Sequence, residues 1–308
     1  MLDPDTFLTL LYVTVDDFGK HAWPLQRPPG PAAKLSCSEV VTLAVFSQWA
    51  PFRGERGFYR YAQQHLRSAF PTLPQRSQFN RLVRRYRDAI AAVFRHLVEQ
   101  LAAATAPYEA LDSTAVPTRN YKRRGRGWLV GQADLGWSNR LGWYEGFHLL
   151  LAVTPTGVLT GFGFGPASTH DQLLAETFFA LRRTPSPALP TSGAPAAGPY
   201  VADSGFAGRA RQQRYAAVYG AQVLCPPKRT SRHPGTPAYR RWLAGLRQIV
   251  ETVADKLQTA FGLLQERPHA LTGFQARLVA KAALHNFCIW LNERYGRPRL
   301  AFADLIDW

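Results

Sequence analysis

The chain has 308 residues, with 37 Lys plus Arg against 21 Asp plus Glu and a formal net charge of +16. With 46% hydrophobic and 19% charged residues it can bury an ordinary core, which excludes a disordered chain, and its length predicts about two domains. So basic a balance points to a polyanionic partner; a nucleic-acid enzyme, a ribosome-like binder and a membrane-surface protein all satisfy it.

The chain opens MLDPDTF, with acids where an export signal would carry positive charge. No apolar run reaches the roughly 18 residues of a membrane span, so no membrane partner and a cytoplasmic location are expected. From residue 35 to about 104 the pattern is helical. Ser36 and Glu39 have capping-box spacing ahead of the apolar segment 40–49, which predicts a helix start. After Ser77, the residues Phe79, Leu82, Val83, Tyr86, Ile90, Val93, Phe94, Leu97, Val98 and Leu101 recur at steps of three and four and predict one continuous helix. Between Arg53 and Arg95 stand ten arginines against Glu55 and Asp88; they form either a solvated helix face or a set of phosphate contacts.

Beyond residue 107 the period changes. Residues 108–114 (YEALDST) read as a strand, a Gly- and Arg-rich stretch follows, and residues 146–168 read as two strands joined at Thr156-Gly157. A helix at 170–183, a Pro/Ala/Ser linker at 184–199, a strand at 199–206, a helix at 208–219 and a strand at 221–227 then alternate. Helices at 239–264 and 274–295 close the sequence. A hairpin group followed by β-α-β order predicts a mixed sheet with helices packed on it. Cys37, Cys225 and Cys288 are far apart and odd in number, so neither a disulfide framework nor a zinc site is expected.

Three carboxylates stand out by their settings. Asp112 and Asp203 fall at strand ends, where side chains of neighbouring strands converge, though strand ends also use Asp in turns. Glu251 borders the apolar stripe of its helix, with Arg247 four residues before it, the spacing of an ordinary helix ion pair. Oxygen ligands of this kind suit hard divalent ions, and two such ions can serve an in-line phosphoryl displacement. Arg119, Lys122, Arg123, Arg124, Arg126 and Arg140 follow Asp112 and supply cationic surroundings. Among the bland features, Ser168 and Asp171 have capping spacing and His285 reads as a packed helix histidine. Trp128, Trp137 and Trp143 are either packed in a hairpin or free to stack on an unpaired base. Lys228 and Arg229 form a basic pair that could meet phosphate.

LDST, GPASTHD, VADSGF, the R-x-x-x-E of LRQIVETVADKLQ and GFQARLVAKAALHNF together resemble the bacterial insertion-sequence DDE transposases, closest to the insertion-sequence 982 group. The resemblance implies an α/β fold: a ribonuclease-H-like mixed sheet flanked by helices (107–308), preceded by an all-α DNA-binding domain (1–106). It implies Asp112, Asp203 and Glu251 as ligands of two Mg²⁺ ions, with Mn²⁺ as a possible substitute. The expected partner is double-stranded DNA, as terminal inverted repeats and target, bound by a homodimer at the bacterial nucleoid. DNA contacts are expected from Arg81, Arg84, Arg85, Arg119, Lys122, Arg123, Arg124, Arg126, Lys228, Arg229 and Arg247. In the related signature around the glutamate, Ala244 stands where a Tyr is usual and Gln258 where a Lys is usual. A structure-selective nuclease of the same fold and a non-catalytic DNA-binding descendant are the rival readings.

Overall fold

The computed structural model describes residues 1–23, 34–52, 54–119, 122, 129–183, 198–228, 230–232 and 234–308. Arg123, Arg124, Arg126, Arg229, Trp128 and most of the 184–199 linker lie outside the described residues. In chain order the elements are α1 (Pro4–Ala22), α2 (Cys37–Phe46), α3 (Gly54–His65), α4 (Arg76–Arg85), α5 (Arg87–Gln100), β1 (Glu109–Arg119), β2 (Asp134–Ser138), β3 (Gly142–Val153), β4 (Leu159–Pro166), α6 (Asp171–Arg183), β5 (Tyr200–Val201), α7 (Arg209–Tyr219), β6 (Val223–Leu224), α8 (Pro237–Thr259) and α9 (Leu271–Arg294). By packing they form two compact units, residues 98–258 and residues 1–97 with 259–308.

The first unit is built on a sheet that runs β2-β3-β1-β5-β6, with β4 also paired to β3. β3 is antiparallel to β1, β2 and β4, whereas β5 and β6 run parallel to β1. This is the predicted ribonuclease-H-like mixed sheet. Thr156-Gly157 makes the predicted turn, with Gly157 at φ +86°, a conformation glycine adopts without a Cβ penalty. β2 was not legible as a strand. β5 and β6 are shorter than the 199–206 and 221–227 runs suggest: Asp203 caps a 3-10 turn over Ser204–Phe206 and bends the chain off the ladder, and Pro226 and Pro227 have no N–H to continue β6.

Alternation along β1 assigns its two faces. Leu111 joins the core formed with Leu174, Phe178 and Phe179 of α6 and Tyr215 of α7. The even-numbered Asp112 and Thr114 point the other way, to Arg247 and Gln258 of α8. Arg182, at the end of α6, is the main polar tie on the first face. Its guanidinium pairs with Glu109 of β1 and donates to Tyr200 Oη at 2.8 Å on β5 and to Thr160 Oγ1 at 2.7 Å on β4, with Phe178 beneath it at 4.7 Å. Both ionic side chains are buried, 4% and 1% exposed.

The helical unit is held by aromatic side chains. Phe7 of α1 packs edge-on to Phe287 of α9 at 5.3 Å and to Trp49 at 5.7 Å. Every residue of α9 from Leu278 to Ile289 is buried, which makes it the central helix of the unit. Ser36 and Glu39 form the predicted capping box at the start of α2. The predicted continuous helix after Ser77 is instead interrupted at Tyr86, where φ −93° and ψ 19° leave the helical well. Inside the unit, Lys281 Nζ donates to Gln48 Oε1 (3.0 Å), the Phe261 carbonyl (2.6 Å) and Glu266, while Arg277 Nε donates to Glu266 Oε2 at 2.7 Å. Burial pushes the Glu266 carboxyl up, but Arg277 and Lys281 outweigh it and hold the group below its usual value.

Two outcomes follow for stability. Arg182→Ala leaves Glu109 charged and unpaired in the core and costs about 3–5 kcal/mol in a denaturant titration, most of it recovered by adding Glu109→Gln. Because Glu266 has a depressed folded pKa, its contribution is present above the ordinary glutamate range and lost as the pH falls through the folded value. Glu266→Gln therefore melts lower than wild type at neutral pH, and the gap narrows on acidification.

Candidate active site

Strand register brings Asp112 and Asp203 together. β1 and β5 run parallel with Ala110 opposite Val201. Two residues further along each chain stand Asp112 and Asp203, which the period-two alternation places on the same side. Asp203 turns its carboxylate back along its own chain, accepting the Gly205 N–H at 2.7 Å. Asp112 accepts the Ser113 N–H at Oδ1 (2.9 Å) and Arg247 Nη2 at Oδ2 (2.8 Å). Burial pushes the Asp112 carboxyl above its usual value, the Arg247 guanidinium opposes this, and the Asp203 charge adds to the rise. The two aspartates therefore feel each other's field.

Glu251 reaches the same guanidinium, with its Oε1 3.5 Å from Arg247 Nη2. One arginine nitrogen thus faces both Asp112 and Glu251. Arg247 is seated, its side chain 16% exposed, whereas that of Glu251 is 60% exposed and free to turn. One helical turn beyond Ala254 on α8, Gln258 occupies the place where the related signature has Lys. It is buried and donates from Nε2 to Thr114 Oγ1 of β1 at 2.8 Å, while Arg140 donates to its Oε1. Gln258 fastens α8 to the strand that carries Asp112.

A fourth carboxylate stands nearby that sequence reasoning had assigned to helix capping. Asp171, at the start of α6, accepts from Ser113 Oγ at 2.6 Å and lies 3.4 Å from His148 Nε2. Its predicted capping partner Ser168 instead donates to Asp134 Oδ2 at 2.6 Å. A Cβ built on Gly205 would stand 2.8 Å from Asp203 Oδ1 and 3.5 Å from Asp171 Oδ2, so the glycine keeps the space between these carboxylates open. The signal was present in LDST: alternation sends Ser113 to the face opposite Asp112, where α6 begins.

The expected DNA contacts divide by setting. Arg81, Arg84 and Arg85 are exposed on α4, and Lys122 and Lys228 are exposed. Arg119 pairs with Glu145 across β1 and β3 at 3.8 Å, and Arg247 belongs to the carboxylate cluster. Trp137 and Trp143 face each other across β2 and β3 and are 59% and 60% exposed, outside the core. His285 packs edge-on to Phe302 at 5.3 Å.

Among the described residues no three His, Cys, Asp or Glu side chains converge at ion-holding distance as they stand. The donor chemistry nevertheless fits a hard divalent cation: carboxylate oxygens at a half-buried rim, one of them raised chiefly by burial, with a like charge adding to it. A family model described as DDE superfamily endonuclease matches residues 111–286, more than half of the chain, and the chain belongs to that family. No curated protein and no solved structure matches it. A DDE endonuclease acts on DNA, and enzymes of this superfamily generally use divalent metal ions. Among the described residues no helix is long and apolar enough to cross a membrane.

Gln258→Ala removes the two hydrogen bonds of that amide, to Thr114 and from Arg140, and leaves the Arg247–Asp112 tie in place. It lowers the unfolding free energy by about 1–3 kcal/mol, measured by denaturant titration. Thr114→Val added to that variant costs less than it does alone, because the two share one bond.

Proposed function

We infer that this protein is a DNA transposase of the insertion-sequence type, nearest to the insertion-sequence 982 group, that binds terminal inverted repeats, cleaves DNA strands and joins the freed ends to target DNA. The observation that supports the reading is Arg247 of α8 facing both Asp112 of β1 and Glu251, with Asp203 at the end of the neighbouring β5 close enough to act on Asp112, within a chain of the DDE endonuclease family.

Asp112 and Asp203 would hold two Mg²⁺ ions and Glu251, turning from Arg247, would complete the set, with Mn²⁺ as a substitute. When bound, the ions activate the attacking oxygen and stabilise the leaving oxygen of an in-line phosphoryl displacement. Arg247 keeps the Asp112 carboxylate ionised and aimed, and Gln258 keeps α8 against β1 so that Glu251 stays in reach. Water attacks the phosphodiester at the element's end and frees a 3′-hydroxyl. That hydroxyl attacks a phosphodiester of the target, forming one P–O bond and releasing the target's own 3′-hydroxyl. Neither step needs a covalent bond to the protein. Residues 1–106 form the DNA-gripping domain and 107–308 the catalytic one; Arg81, Arg84, Arg85, Lys122, Arg123, Arg124, Arg126, Lys228 and Arg229 meet the DNA backbone, and Arg119 joins them when it releases Glu145. A homodimer holds two element ends, in the cytoplasm at the nucleoid.

The test is strand cleavage and transfer with the element's own ends and Mg²⁺. Asp112→Asn, Asp203→Asn and Glu251→Gln each lower both reactions about a thousandfold, several kcal/mol of transition-state stabilisation, with circular dichroism unchanged. Retention of joining by any of the three would overturn the residue assignment. Cutting of branched DNA without the repeats, and without joining, would replace the transposase by a nuclease of the same family.

A further inference from the structure

The helical unit encloses a cavity of about 810 Å³, bordered by α4, the 47–56 segment and the start of α9. Its walls carry Arg56, Arg81 and Arg84, and among the described residues none of the three has an ion-pair partner. α9 opens into it: Ala270 and Gly273 line the cavity, and Ala270 offers no side-chain cap. The first in-helix bond runs from the Phe274 N–H to the Ala270 carbonyl at 3.1 Å, so the N–H groups of Leu271, Thr272 and Gly273 have no acceptor within the helix. The positive end of a 24-residue helix is therefore presented to the cavity.

Two further donors lie in the wall of the cavity, closed off from its open space. Trp49 lines the cavity and is 4% exposed, and its indole Nε1–H is buried without a hydrogen-bond partner. Arg277 spends Nε on Glu266, but its Nη2 is likewise buried and unpartnered. Unmet donors of this kind are costly unless an acceptor arrives. The two carboxylates on the wall are neutralised: Glu266 by Arg277 and Lys281, and Glu55 by Arg76 at 3.6 Å with Asn80. A Cβ built on Gly273 would stand 3.6 Å from Arg84 Cδ and 3.9 Å from Arg277 Nη1, which places the glycine between the stem of Arg84 and the guanidinium of Arg277.

We propose that this cavity is a phosphate-binding site, which seats a phosphoryl group at the N-terminus of α9 between Arg84 and Arg277. Helix N-termini and arginine forks both favour phosphate oxygens, and the volume lies within the range of nucleotide-sized pockets. The phosphoryl group comes from a free phosphate or nucleotide, or from a DNA backbone. The site stands independently of the carboxylate cluster.

The full-length protein is titrated calorimetrically with inorganic phosphate, pyrophosphate, adenosine monophosphate and a short DNA duplex. Gly273→Glu has room for its Cβ and tethers a carboxylate where the phosphate would sit. It weakens phosphate and pyrophosphate binding about tenfold or more while melting no lower than wild type. Arg84→Gln, a change at an exposed side chain, weakens both about fivefold or more, and Gly273→Ala stays within about twofold of wild type. If Gly273→Glu also weakens the duplex, the site takes a backbone phosphate; if only the small ligands are lost, it takes a free one. Equal affinity of wild type, Gly273→Glu and Arg84→Gln for all four probes, or no binding of any probe by wild type, overturns the proposal.

Discussion

Carboxylates brought close together at a half-buried rim repel each other, and each resists losing its water. That constraint governs the sheet unit, and Arg247 is the side chain that answers it. One of its nitrogens faces Asp112 at 2.8 Å and Glu251 at 3.5 Å, while Asp203 stands near enough to Asp112 to raise it. Without a cation there, β1, the end of β5 and α8 would present like charges with nothing between them. The cost is strain of an electrostatic kind, stored where Asp112 is half-buried beside Arg247. The surrounding ties resist that repulsion. Gln258 fastens α8 to Thr114, and Arg182 fastens α6 across β1, β4 and β5.

Arginine serves this chain in two ways that composition cannot separate. Arg119, Arg182, Arg247 and Arg277 are inward, each paired with a carboxylate, and act as parts of the scaffold. Arg81, Arg84 and Arg85 stand outward on α4 with their charge unspent. The net charge of +16 is thus concentrated by subtraction. Among the described residues several acids are taken up by these inward pairs, while unpaired positive charge stands on α4 and in the cavity at the start of α9.

Much of the architecture was legible because its signals are local. The Ser36–Glu39 capping box, the turn at Gly157 and the amphipathic run of α6 each lie within a few residues. The pairing of Arg247 with Glu251 was legible from their spacing of four residues on one helix. What stayed hidden depends on long-range contact. β2 is only five residues long, too short for its Leu135–Trp137 alternation to mark a strand, and it forms because β3 offers it an edge. β5 and β6 are shortened by a cap and by prolines, features that read as strand-compatible until the ladder is drawn. Asp171 has the spacing of a cap, and only the packing of α6 on β1 shows that Ser113 engages it instead. Gln258 looks like a lost lysine in the motif, yet its amide is the fastening of α8.

The buried helix α9 has a consequence for how the protein comes into being. Its residues 278–289 supply the centre of the unit whose other helices lie before residue 98. The ribosome therefore makes the outer shell of that unit first and its middle almost last, with the whole sheet unit synthesised in between. Phe7 emerges early, and its edge-on partner Phe287 follows only with α9. The sheet unit, contiguous in sequence, can close on its own schedule. α4 packs against α9, so its arginine face is backed by that helix only once translation has passed it.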